Sequence, residues 1–307
     1  MKDFLTIADY SPKDLQNMLD LAVDLKKERK DKGKNQPILE NKMLAMIFQK
    51  PSLRTRVSFD MAMRHLGGDA LYLSPAEIGL GKRESIADVA RVISGYVDVI
   101  MARVFDHQHV IELGKWASVP VINGLSDYNH PCQAMADALT IYEEYGKFKN
   151  INVTYVGDGN NVAVSLMHVC AKLGANFTIA NPKGFDMPTS AIKEGESFAK
   201  ESGSSITLLE DPHESVINAD VIYTDTWTSM GQEEETKKRE QVFPPYQVNQ
   251  KLVSEAKENV IVMHCLPAHR NHEVTDDVAD GPHSRLFPQA ENRMHAQKAI
   301  LVKLMSK

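Results

Sequence analysis

The sequence predicts an α/β protein of two doubly wound parallel-sheet domains. The chain has 307 residues, room for two domains of about 150 residues each. Short apolar runs of strand length alternate with amphipathic stretches of helical length along it. That alternation implies βαβ units, parallel pairing and right-handed crossovers. Hydrophobic residues at 43% and charged residues at 25% suit a globular chain and argue against a disordered or fibrous one. No run approaches the ~18 apolar residues of a membrane span. MKDFLTIADY has Asp3 where a signal core would stand, so a cytoplasmic chain is expected. The formal net charge of −6 argues against a general nucleic-acid binder but permits a local basic pocket. Cys132, Cys170 and Cys265 are too few and too far apart for a disulfide scaffold.

Ser11 and Pro12 form a helix start, followed by Leu15, Met18, Leu19, Ala22 and Leu25 at helical spacing. Charged Lys26–Asn35 reads as a frayed end and a loop. Strands are expected at Met43–Phe48, Ala70–Leu73, Val97–Ala102 and Val119–Ile122. Helices are expected at Arg54–Leu66, stopped by Gly67-Gly68, and at Ser85–Gly95 and His107–Ala117. Pro131–Tyr145 reads as one long helix between the halves, with the boundary near Gly146–Asn150. In the second half, strands are expected at Ile151–Val156, Asn176–Ala180, Ser205–Leu209, Val221–Thr224 and Val260–Met263. Helices are expected at Asn161–Leu173 and Pro188–Ser202, and Gln289–Leu304 is a last helix with no strand after it. The expected domains are residues 1–146 with the terminal helix 289–307, and residues 147–288.

Open parallel sheets bind ligands beyond the carboxyl ends of their strands. Several chemistry-bearing segments stand there. Ser52, Leu53, Arg54 and Thr55 follow the first strand and open a helix, so hydroxyls, a guanidinium fork and free N–H groups suit a phosphate. Arg103 ends a strand. His130-Pro131-Cys132-Gln133 offers a donor to a carbonyl and an amide to an amide-like group. Gly157-Asp158-Gly159-Asn160-Asn161 invites a dinucleotide reading. Val162 stands where the third glycine would be, and Ala180-Asn181 where a ribose-binding acid would be, so NAD is rejected. Asp225 and Ser229 can hold an ammonium group, and nearby backbone N–H groups a carboxylate. His264 and Cys265 are adjacent, so a strand would point them to opposite faces and separate base from thiol. His269 and His272 follow, without the spacing of a structural zinc site, and no metal is expected. Arg293 lies in the last helix.

Taken in order, S-x-R-T-R (from Ser52), a strand-end Arg, H-P-x-Q, D-x-x-x-S-M-G and H-C-L-P resemble the carbamoyltransferases over nearly the whole chain. The last two motifs point to the ornithine branch. The resemblance implies a first domain binding carbamoyl phosphate, a second binding L-ornithine, and a terminal helix packed back on the first. It implies a homotrimer or a multiple of trimers, with no nucleic-acid or membrane partner and no cofactor. Ser52, Leu53, Arg54 and Thr55 would hold the phosphate. Arg103, His130 and Gln133 would hold the carbamoyl group, Arg103 also reaching the phosphate, with Arg293 near the carbamoyl oxygen. Asn161, Asp225, Ser229 and Met230 would hold the α-amino and α-carboxylate groups of ornithine. Cys265 and the Leu266 carbonyl would sit near its δ-nitrogen. The resemblance puts Arg103, His130, Asp225 and Cys265 in catalytic roles.

The chain departs from the family pattern twice. Leu53 stands where Thr is usual, and Gly79 where Gln is usual, with Lys82 close by as a substitute. The implied reaction is attack of the δ-amine on the carbamoyl carbon, giving L-citrulline and phosphate in arginine biosynthesis. N-acetylornithine, succinylornithine or putrescine remain as alternative acceptors. Cys265-Leu266 after His264 disfavours aspartate as the acceptor.

Overall fold

The computed structural model describes residues 2–81, 83–228 and 233–306. Helix α1 (Pro12–Lys32) starts as expected, with the Ser11 side chain accepting from the Asp14 N–H. It runs about two turns beyond expectation, through the charged segment. Basic residues in its last turn favour the dipole's negative end, and Gly33 closes it in the left-handed region at φ 71°. Then come β1 (Met43–Phe48), α2 (Leu53–His65), β2 (Asp69–Leu73), α3 (Pro75–Ile78), α4 (Ile86–Ser94), β3 (Val99–Arg103), α5 (His107–Trp116), β4 (Val121–Leu125) and α6 (Pro131–Tyr145). Strand β3 begins later than expected because Asp98 accepts hydrogen bonds from the Met43 N–H and Lys42 Nζ at the mouth of β1. Strand β4 begins beyond Pro120, and Phe4 bridges its free side through the Phe4 N–H to Val121 and the Asn123 N–H to Phe4.

The second half continues with β5 (Asn152–Val156), α7 (Asn161–Leu173), β6 (Asn176–Ala180), α8 (Thr189–Ser202), β7 (Ile206–Leu209), α9 (Pro212–Val216), β8 (Val221–Thr224), α10 (Thr236–Val242), α11 (Gln250–Ser254), β9 (Ile261–His264), α12 (Asp276–Ala279) and α13 (Leu286–Met305). The chain forms two compact units. One comprises Met1–Leu139 and Glu291–Lys307, the other Thr140–Ala290, so the terminal helix returns to the first.

Each unit has one all-parallel sheet. The first has the order β2-β1-β3-β4, the second β7-β6-β5-β8-β9. Both orders reverse direction part-way, between β1 and β3 and between β5 and β8. The crossovers on either side of such a reversal leave a crevice at the strands' carboxyl ends. The inner strands β1, β3 and β8 are almost wholly buried, as strands covered on both faces require, whereas β2 and β7 at the sheet edges are partly exposed. One core cluster in the first unit gathers Ile47, Ile100, Ala102, Val110 and Val121, and one in the second gathers Val156, Ile222, Phe243 and Val262.

Candidate active site

In the first unit, the residues beyond β1 and β3 occupy the crevice. Ser52 is the N-cap of α2, its Oγ accepting from the Thr55 N–H at 3.3 Å and donating to Thr55 Oγ1 at 3.0 Å. Thr55 is fully buried. Its hydroxyl also accepts from Arg293 Nη2 at 2.8 Å, so its own proton is free to donate. Leu53 is 76% exposed and has an apolar side chain, so at the helix start it offers an anion only its backbone N–H. Arg54 has a buried Nε with no acceptor among the described residues. A guanidinium N–H held dry without an acceptor costs of order 1–3 kcal/mol, which a bound anion would recover.

Arg103 ends β3 and is buried, locked by parallel pairing to Phe48. His130 starts α6, its carbonyl accepting from the Gln133 and Ala134 N–H groups. Burial holds the His130 imidazole well below its ordinary pKa, and Arg293 and Arg103 beside it push the same way. At neutral pH it is an uncharged donor. Arg293 is 4% exposed and donates from Nη1 to Gln133 Oε1 at 2.9 Å. Gln133 Nε2 donates to Asp137 Oδ1 at 2.8 Å. The fully buried Asp137 thus fixes which way the Gln133 amide points. Sequence reading missed Asp137, although a carboxylate four residues after Gln133 within an apolar helical stretch was a visible signal. Ser52, Thr55, Arg293, Gln133 and Asp137 form one continuous hydrogen-bonded chain, and His130 and Arg103 lie beside it.

Gln49 explains the neighbouring loop. Its Nε2 donates to the Leu80 carbonyl and its Oε1 accepts from the Phe105 N–H, joining that loop to the ends of β1 and β3. Gly79 is the left-handed C-cap of α3 at φ 50°, where a side chain is strained and a Cβ would lie 3.0 Å from that of Arg83. Lys82 lies outside the described residues.

In the second unit, Asp225 follows β8 and is buried. Its Oδ1 accepts from the Thr226 N–H at 2.8 Å and from Cys265 Sγ at 3.0 Å. Its Oδ2 accepts from Asn160 Nδ2 at 2.9 Å. Three donors hold the carboxylate in one orientation, which suits capture of an ammonium group. Asn160, which the sequence reading named in the glycine segment without giving it a role, also caps α7, its Oδ1 accepting from the Val162 and Ala163 N–H groups. Asn161 is the first residue of α7 and half-buried. Ser229 and Met230 lie outside the described residues.

The expectation that a strand would separate His264 from Cys265 needs correction. Strand β9 ends at His264, so Cys265 is free of the alternation. Ligating atoms of Asp225, His264 and Cys265 all lie within 4.8 Å of one another. His264 is nonetheless committed elsewhere. Its Nδ1 accepts from the Leu266 N–H at 2.8 Å, which puts its proton on Nε2, facing Glu273 Oε1 at 3.0 Å. Neither nitrogen is available to deprotonate Cys265 or to ligate a metal. Leu266 adopts φ 57°, and the Leu266–Pro267 peptide is cis.

The glycines of Gly157-Asp158-Gly159 have structural reasons of their own. Gly157 takes φ 141°, and a Cβ on Gly159 would lie 2.4 Å from the Met187 nitrogen.

A family model described as aspartate/ornithine carbamoyltransferase, carbamoyl-P binding domain, matches residues 2–143, and its Asp/Orn binding domain counterpart matches residues 149–304. The chain belongs to the aspartate/ornithine carbamoyltransferase family. It is 56% identical over 304 residues to the ornithine carbamoyltransferase of Pyrococcus abyssi, covering 99% of this chain and 96% of that one. It is 55% identical over 304 residues to the anabolic ornithine carbamoyltransferase of Pyrococcus furiosus, again covering 99% and 96%. The solved structure titled as the ornithine carbamoyltransferase from Pyrococcus furiosus superposes with a TM-score of 0.96 over 99% of this chain and 97% of that chain. Ser52–Thr55, Arg103, His130 and Gln133 fall in the carbamoyl-P match, and Asp225, Cys265 and Arg293 in the Asp/Orn match.

Proposed function

We propose that this carbamoyltransferase moves the carbamoyl group of carbamoyl phosphate to the δ-amine of L-ornithine, giving L-citrulline and phosphate in arginine biosynthesis. The observation that carries the reading is the Asp225 carboxylate, held by Asn160, Thr226 and Cys265 in a chain that also carries a phosphate-type cradle. Ser52, the Leu53 N–H, Arg54 and Thr55 bind the phosphate. Arg103, His130 and Gln133 bind the carbamoyl group, with Arg293 near its oxygen. Asp225 takes the α-ammonium, with Asn161, Ser229 and Met230 completing the amino-acid site and Cys265 and the Leu266 carbonyl near the δ-nitrogen.

The neutral δ-amine attacks the carbamoyl carbon, the carbon–oxygen bond to phosphate breaks, and the amine's proton passes to a phosphate oxygen. An alkyl ammonium with a pKa of about 10.4 leaves on the order of one amine in a thousand neutral near pH 7. Catalysis is then positioning together with charge stabilisation. Arg54 and Arg103 stabilise the growing negative charge on phosphate, while His130 and Arg293 polarise the carbonyl. Phosphate is already an activated leaving group, so the reaction calls for no metal or organic cofactor.

The proposed assembly is a homotrimer or a multiple of trimers, for which Leu53, Val57 and Leu71 give the first unit exposed apolar surface. The proposed compartment is the cytoplasm. Cys132, Cys170 and Cys265 are buried thiols outside any disulfide, as suits a reducing environment. The decisive experiment is citrulline formation from carbamoyl phosphate and L-ornithine, and no product at millimolar substrate would end this reading.

Two further outcomes test individual roles. Cys265 donates to the Asp225 carboxylate, whose negative charge disfavours a thiolate, and no imidazole nitrogen is available to it, so it is a binding residue with no covalent intermediate. Cys265→Ser should weaken ornithine use and keep measurable turnover. Mass spectrometry after incubation with carbamoyl phosphate alone should find no adduct, and a stoichiometric carbamoyl group on Cys265 would overturn the assignment. His130 acts uncharged. Its depressed pKa means that protonation begins only well below the ordinary 6.5, so kcat should have no inflection near pH 6.5. An inflection there that disappears in His130→Gln would contradict the uncharged donor.

A further inference from the structure

We propose that Arg239 is a positioning residue for the amino-acid site, bolting the segment after β8 to the turn after β5. The inference rests on the reading of Asp225 as the ammonium-binding carboxylate.

Arg239 lies on α10 and is 4% exposed. Its Nη1 donates to the Trp227 carbonyl at 2.7 Å and meets Asp158 Oδ2 at 2.9 Å. Its Nε and Nη2 meet Glu235 Oε2 at 3.0 and 2.9 Å. Its planar group lies 4.9 Å from the Phe185 ring and 5.8 Å from the Phe243 ring. The two anchors matter because of what stands beside them. Trp227 follows Thr226, whose N–H fixes Asp225 Oδ1. Asp158 stands two residues before Asn160, whose side chain fixes Asp225 Oδ2. Arg239 therefore joins the two segments that orient the carboxylate, although it does not touch Asp225. In sequence, Trp227 and α10 also bracket Ser229 and Met230.

A buried ion pair is a poor stabilising device, because desolvating two charges consumes most of their attraction. Apolar residues of similar volume would fill the space beside Phe185 and Phe243 without that cost. What apolar residues cannot do is bridge a carboxylate and a backbone carbonyl with one rigid fork. Burial pushes the Asp158 carboxyl up to about 6, with Asp225 and Glu235 adding to the rise and Arg239 opposing it. Arg239 thus favours the ionised Asp158 that the bridge uses.

The test compares Arg239→Gln, Arg239→Lys and Asp158→Asn with the wild-type protein in citrulline formation, both substrates varied. The bolt predicts an ornithine KM raised at least tenfold in Arg239→Gln and several-fold in Asp158→Asn. The carbamoyl phosphate KM should stay within twofold. Arg239→Lys should recover part of the loss, because one ammonium can reach one anchor but not hold both. A purely structural role would instead lower the unfolding midpoint and the amount of active enzyme, leaving both KM values alone. Should Arg239→Gln fail to fold, Arg239→Lys and Asp158→Asn carry the same contrast. Unchanged ornithine KM in the folded variants would overturn the bolt. Absence of turnover in the wild-type protein would overturn the functional reading and this inference with it, a failure distinguishable from the first.

Discussion

Replacing Arg54 with alanine should lower kcat/KM for carbamoyl phosphate at least a hundredfold, about 2.7 kcal/mol of transition-state stabilisation. The argument starts from the helix. The first turn of α2 presents unpaired backbone N–H groups at the positive end of a dipole. Arg54 is its second residue, with a buried Nε that no described residue satisfies. Charge builds on phosphate as the carbon–oxygen bond breaks, so a guanidinium there counts for more in the transition state than in the ground state. Arg54→Lys should recover little, because a point charge cannot reproduce two parallel donors. Steady-state kinetics decide the matter. Near wild-type rates in Arg54→Ala would remove the anion cradle from the carbamoyl phosphate site, whatever the fate of the amino-acid site.

Much of the fold is legible in the sequence because helices with strong punctuation announce themselves. Helix α6 runs from Pro131 to Tyr145 as expected, since Pro suits a first helical position and an apolar run follows. Helices α3, α9, α11 and α12 escape, because four or five residues are too few to display a 3.6-residue period. The end of α1 escapes for another reason. A charged stretch looks like solvent-exposed loop, whereas here Glu28–Lys32 and Glu28–Asn35 contacts and basic residues at the carboxyl end support helix. In the site, residues directly after strands are legible because sheet topology tells where ligands bind. Residues that orient them are not. Asn160 and Arg239 matter through partners remote in sequence, and only the reversal of strand order between β5 and β8 brings those partners close. The His264–Cys265 pair misled for want of one fact, that the strand ends at His264.

In competition, ornithine should outcompete N-acetylornithine and putrescine by at least a hundredfold in kcat/KM. Asp225 is buried and its oxygens already accept from Asn160, Thr226 and Cys265, so the remaining acceptor capacity is narrow and directed. An α-ammonium satisfies it. An acetylated amine is neutral and bulkier, and leaves a buried carboxylate without its counter-charge, typically at a cost of a few kcal/mol. Putrescine lacks the α-carboxylate and forfeits the contacts proposed for Asn161 and Met230. Ornithine's apparent affinity should improve as pH rises from 7 to 9, because the neutral δ-amine becomes about tenfold more abundant with each pH unit below its pKa. A one-pot reaction with all three amines, its products resolved by mass, measures the preference directly. Carbamoyl-putrescine or acetylcitrulline as the main product would refute ornithine as the acceptor while leaving carbamoyl transfer intact. Asp225→Asn links the preference to the residue. Loss of the charge should narrow the gap between ornithine and N-acetylornithine, chiefly by weakening ornithine. A gap that survives the substitution would move the ammonium site away from Asp225.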